Sequence, residues 1–126
     1  MQMNTYENVL VQTDLPPESD TLRRAAAAYL ARFKSQSRVH TESDLRAHLN
    51  WCRSHSLDPL TAERPDLKLY IRGMQEACRY KPSTVSRRIA VVAGFYRTCV
   101  IDAVLAHSPA EHVRRPNVPA ESPTLD

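Results

Sequence analysis

A chain of 126 residues with 42% hydrophobic content holds material for one domain with a single core rather than two. No run approaches the roughly 18 apolar residues of a membrane span, and the amino terminus lacks a basic then apolar leader layout, so a soluble cytoplasmic protein is expected. The formal charge of +3 hides an uneven distribution: all 17 basic residues lie between Arg23 and Arg115 with only eight acids among them, and a segment of that balance favours a polyanionic partner over an acidic or neutral one, with an arginine-rich solvated surface as the plainer alternative.

Residues 1–19 carry Pro16 and Pro17 and no sustained period, which reads as a flexible segment. The first helix is predicted from Asp20 to Lys34, capped by Ser19 or Asp20, with Leu22, Ala26, Tyr29, Leu30 and Phe33 on one side. A second helix is predicted from Ser37 to His55 with a stripe of Thr41, Leu45, His48, Leu49 and Cys52; "TESD" at Thr41 resembles a capping box and offers a later start. The third runs from Arg64 to Arg79, with Pro65 in its first turn and Leu67, Tyr70, Ile71, Met74 and Cys78 inward. The fourth runs from Pro82 to Val100. Stepping ~100° per residue from Val85 puts Ile89, Val92, Tyr96, Cys99 and Val100 on its core side. A short helical turn near Pro109 to Val113 closes the set, and residues 116–126, with three prolines, read as an extended linker. Two glycines in the whole chain and apolar spacings of three and four argue against hairpins. The expected fold is therefore all-α, a compact bundle of four to five helices over residues 20–115.

The outward faces carry more information than the cores. Opposite Val85 the fourth helix presents Ser83, Arg87, Ala90, Gly94 and Arg97, and opposite Leu45 the second presents Gln36, His40, Ser43, Ala47, Asn50 and Ser54. Neither line holds a carboxylate, whereas an ordinary solvated face mixes acids with bases, as Asp66, Arg72 and Glu76 do on the third helix. Small residues let a helix approach a groove closely, a role that falls to Ala90 and Gly94. Hydroxyl, amide, imidazole and guanidinium groups bond base edges or phosphates. The start of the fourth helix adds unpaired N–H groups and a positive dipole end beside Lys81, Ser83 and Thr84. Each has a plainer reading: Ser83 as a cap, Thr84 as a packing residue on the flank, Arg88 as a side chain that snorkels or pairs with an acid. His48 reads as a hydrogen-bonded core histidine and Trp51 as core or packed beneath an arginine stem.

The three cysteines, Cys52, Cys78 and Cys99, sit inside predicted helices at no metal-like spacing, which suits buried, reduced thiols. His48, Cys52 and His55 share one helix, but Cys52 is also needed for the apolar stripe. No metal and no cofactor is expected.

Two stretches carry a resemblance to a known family. "SDLRAHLNWCRSHSL", Ser43 to Leu57, has an Asp-Leu pair followed after two turns by an aromatic. "KPSTVSRRIAVVAGFYRTCVIDAVLAHSPAEHVRRPNVP" has a Ser/Thr start, an Arg-Arg pair, Phe-Tyr and a closing "SPA..V..P". Together these resemble the amino-terminal, SAM-like core-binding domain of tyrosine recombinases, the phage integrase family, over Leu22 to Pro119. Thr41 departs from the pattern, standing where an aromatic often sits. The resemblance implies a helical bundle that packs against one face of double-stranded DNA, its second and fourth helices crossing the major groove, while a separate catalytic domain and other recombinase protomers complete the assembly. Carried over by position, it implies DNA contacts from Gln36, Ser37, His40 and Ser43, and from Lys81, Ser83, Thr84 and Arg87; Arg88 beside them is a further candidate contact.

The same family cuts DNA with a tyrosine placed after a His-x-x-Arg segment. "HVRR", His112 to Arg115, matches by letter, but the last tyrosine is Tyr96, ahead of it. These residues read instead as a basic tail along the DNA backbone, and residues 116–126 as a linker towards an absent catalytic domain. The expectation is a nucleoid-associated domain for DNA recombination and integration, binding a recombination or attachment site without catalysis of its own. A helical protein–protein interaction module is the alternative. A standalone hydrolase finds no Ser/His/Asp or Cys/His set and no phosphate loop.

Overall fold

The structure, a computed structural model, describes residues 20–117. Four α-helices follow in order: α1, Asp20–Leu30; α2, Ser35–Ser54; α3, Arg64–Glu76; and α4, Pro82–Ile101, with a 3₁₀ turn at Pro59–Thr61 before α3. No strand occurs among the described residues, so the all-α bundle is observed. The expectations for the flexible segment at residues 1–19 and for most of the linker lie outside the described residues.

Helix α4 is the hub, packed against α1, α2 and α3, while α1 also touches α2. Its inward line, Val85, Ile89, Val92, Phe95, Tyr96 and Cys99, is buried to 2% exposure or less. Leu22 and Leu30 of α1, Leu45 and Leu49 of α2, and Leu67 of α3 meet it. Each such leucine contributes about 1.5–3 kcal/mol through burial.

The helix ends differ from the sequence reading for local reasons. Helix α1 stops at Leu30 rather than Lys34, because its last turn tightens through Arg32 N–H to Tyr29 O and Phe33 N–H to Leu30 O. Lys34 is then extended, at φ −136° and ψ 156°, and turns the chain into α2. Helix α2 begins at Ser35, which leaves Thr41 buried inside it rather than at a cap. Helix α3 opens with a capping box of Glu63 and Asp66 and ends at Glu76. Beyond it Arg79 takes a left-handed φ of 57°, and Cys78, expected inward, is exposed. Residues 109–112 form turns rather than a fifth helix, although Ala110 is buried and Val113 packs on the core.

One polar chain crosses the core. Tyr96 donates its hydroxyl proton to Pro59 O at 2.8 Å, so His48 Nε2, 2.9 Å from the same hydroxyl, must carry a proton and donate. That network assigns the Nε2–H tautomer and leaves Nδ1 as a buried acceptor with no partner. The expected core histidine is thus observed, fully buried, and burial lowers its pKa to about 3.

An unfolded His48 takes up a proton below its ordinary value near 6.5, whereas the folded one stays neutral down to about 3. Between those values the unfolded state binds more protons, so stability falls as pH falls, by about 1.4 kcal/mol per unit. Urea denaturation at pH 7 and pH 5 is expected to show native chain losing about 2 kcal/mol more than a His48→Leu variant over that interval. Equal losses would show that His48 is not buried neutral.

Candidate nucleic-acid interface

A buried carboxylate joins the two helices that carry the expected contacts. Asp44 of α2 lies beside Leu45 on the packed side of its helix, its side chain 4% exposed. From α4, Arg87 donates to it twice, Nε to Oδ2 at 3.0 Å and a terminal nitrogen to Oδ1 at 3.2 Å. Arg88 approaches the same carboxylate with Nε 3.6 Å from Oδ1, ion-pairing range but longer than a hydrogen bond. Its guanidinium also lies over the Tyr80 ring, 4.7 Å from the centroid. Two arginines around one carboxylate leave one positive charge in excess.

This pairing changes the reading of both arginines. Arg87, expected as a DNA contact, is a bidentate partner of Asp44, yet more than half of its side chain stays exposed. Arg88 is mostly buried, which settles its place as an ion-paired and ring-stacked residue. Asp44 itself was missed because an acid is ordinarily assigned outward. The available signal was its position in the line Thr41, Asp44, His48, Cys52, facing an Arg-Arg pair on the partner helix.

Around this pairing the other expected residues divide by helix. Gln36, Ser37, His40 and Ser43 are exposed on the first half of α2, and Lys81 and Ser83 are exposed at the start of α4, with Thr84 half-buried on its flank. Asp44 and Arg87 hold the middle of α2 against the first turns of α4. Ser83 does not cap: the N-cap of α4 is Lys81 and no side chain accepts from its first turn. The N-cap of α2 is likewise a lysine, Lys34, with no side-chain cap. Neither first turn contains an acid, in contrast to the capping box of α3. Anions are favoured at such ends.

The outward lines do not run the length of either helix. On α4 the line is covered by α1 at Gly94, where an added Cβ would stand 2.7 Å from the Tyr29 hydroxyl oxygen, and is exposed again at Arg97. That hydroxyl donates to Val91 O at 3.1 Å. Gly94 therefore makes room for Tyr29 inside the bundle, which corrects its expected role of slimming a groove-facing surface. On α2, Ala47, Asn50 and Ser54 line a groove against α3 rather than continuing the open face.

In the tail, His112, Arg114 and Arg115 are exposed. Arg115 and Arg97 line one groove of about 500 Å³ along the second half of α4, which returns the basic tail to the bundle. Of His48, Cys52 and His55, the first two meet, with Cys52 Sγ 3.6 Å from His48 Nε2, whereas His55 stacks on Trp51 with ring centroids 4.2 Å apart and does not join them. Burial pushes the Cys52 thiol up to about 12, so it is a thiol and not a thiolate. Among the described residues no helix is long and apolar enough to cross a membrane. No protein-family model, curated protein or solved structure matches the chain.

Asp44→Asn is expected to lower stability by about 2–3 kcal/mol, because a buried acceptor for charged donors loses its charge. Arg87→Ala should cost less, since Arg88 remains beside the carboxylate. Chemical denaturation of the two variants tests the order. A larger loss for Arg87→Ala would show that Arg88 does not support Asp44.

Proposed function

We propose that this domain binds double-stranded DNA through the first halves of α2 and α4, as the core-binding domain of a site-specific tyrosine recombinase does, and that it acts without catalysis of its own. The observation that carries the reading is the exposure of two uncapped, acid-free helix starts on the two helices that the Asp44–Arg87 bridge joins. Residues 20–117 hold all 17 basic residues against nine acids, and two of those acids, Glu42 and Asp44, are buried. Glu42 is also paired with Arg46 at 3.2 Å. Both acids are taken up by arginines, so the excess of bases over acids in this segment is what the surface offers to phosphates.

In this mechanism Lys81 and the first-turn N–H groups of α4 meet phosphates. Gln36, His40, Ser43 and Ser83 supply the hydrogen-bonding groups nearest to base edges. Arg87 has its orientation fixed by Asp44, so it meets DNA with less ordering cost than a free arginine would. Ser37, Thr84 and Arg88 border the surface, Arg88 acting through Asp44 and Tyr80 rather than by contact.

The test is binding to a random-sequence duplex at about 50 and 200 mM salt. Neutralising three phosphates predicts a fall of about forty-fold across that range, and Lys81→Ala should reduce the slope by about one. Affinity that is unchanged by salt, or saturable binding to protein with no response to DNA, would overturn the reading in favour of an interaction module.

A further inference from the structure

The groove of about 500 Å³ along the second half of α4 is completed by the turns that follow that helix. Ile89 and Val100 of α4, with Ala110 and Val113 from the turns, give it an apolar strip. Beside the strip stand two exposed arginines, Arg97 and Arg115, against a single acid, Glu111. Arg46, Arg72, Arg87 and Arg88 each meet an acid elsewhere in the bundle, whereas among the described residues Arg97 and Arg115 form no ion pair. An apolar strip bordered by unmatched positive charge suits an apolar and acidic peptide segment.

Two observations select the occupant. The first is where the chain enters: Thr21, in the first turn of α1, lines a small recess with Asp102 and Val104, and Val100 and Ala106, on either side of those two in sequence, line the groove. Residues 1–19 therefore meet α1 beside one end of it. The residues from Asp20 back to Val9 reach up to about 35 Å when extended, whereas the second half of the 20-residue α4 is only about 15 Å long.

The second observation is composition. Residues 1–19 hold three acids, Glu7, Asp14 and Glu18, no Lys or Arg, and an apolar run of Val9, Leu10 and Val11 with Leu15 beyond it. Residues 118–126 also leave from the groove, past Arg115, but their large apolar residues, Val118 and Leu125, are separated by two prolines. We propose that the groove along the second half of α4 is the docking site of this chain's own residues 7–15. Val9, Leu10, Val11 and Leu15 cover the apolar strip, and Glu7 and Asp14 answer Arg97 and Arg115. A tethered segment needs only weak contacts, because its effective concentration beside the groove is on the order of millimolar. The proposal does not rest on DNA binding, since none of the proposed DNA contacts lines this groove.

The test is paramagnetic relaxation in the full, isotope-labelled chain carrying a nitroxide on Gln12→Cys. The tag is placed in a Cys78→Ser background, since Cys78 is the exposed thiol while Cys52 and Cys99 are buried. The amide resonances of Ala93, Arg97 and Ala106 should lose most of their intensity, and those of Leu69 and Arg72 on α3 should keep theirs. Mixing tagged, unlabelled chain with labelled, untagged chain well below millimolar concentration should produce no such loss. Arg97→Glu, at an exposed position, and Leu10→Asp, in the segment itself, should each return most of the lost intensity. Full intensity at those amides in the tagged chain, a loss spread equally over α3 and the groove, or a loss undiminished in both variants would overturn the proposal. So would an equal loss in the mixed sample, which would seat a second copy's segment there instead.

Discussion

A carboxylate removed from water must be matched where it sits, and in this bundle that requirement ties α2 to α4. Asp44 is buried and receives two hydrogen bonds from Arg87, with Arg88 behind them. Because the arginines leave α4 within its first two turns, the match is met only when that part of α4 lies against the middle of α2. The first turns of α4 are then held against the middle of α2. The hub position of α4, seated on all three other helices, transmits that placement to the rest of the bundle.

The remaining contacts divide the two helices into an open half and a covered half. On α4 the cover is α1, whose Tyr29 enters over Gly94. On α2 it is α3, which forms the aromatic groove with Asn50, Trp51 and Ser54. Deeper in, the chain from His48 to Tyr96 to Pro59 satisfies the polar groups that α2, α4 and the 3₁₀ turn bring together. The proposed DNA surface is thus what remains of α2 and α4 after α1 and α3 have taken their share.

The helices and most of the core were legible in the sequence because a 3.6-residue period marks buried faces directly. Val85, Ile89, Val92 and Tyr96 were placed by the wheel alone, as were Leu45, His48 and Leu49. Helix ends were less legible, since the stop of α1 depends on the extended Lys34 and that of α3 on a left-handed Arg79, which no periodicity records. The wheel also fixes a residue's direction but not what meets it. Gly94 points outward from Val85 and yet receives Tyr29, and Arg87 points outward and yet binds Asp44. Of the candidate site, the exposed residues at the starts of α2 and α4 were legible; the buried acid that joins them was not, because its partner lies 43 positions away.

The most direct test of the central claim is a titration of the isotope-labelled chain with a short random duplex at low salt, read residue by residue from backbone amide shifts. The account predicts that the largest shifts fall between Gln36 and Ser43 and between Lys81 and Arg87, with the α3 residues Leu69 and Arg72 unmoved. Shifts centred on α3, or none at a duplex concentration well above the weak non-specific range of about 10⁻⁴ M, would contradict it.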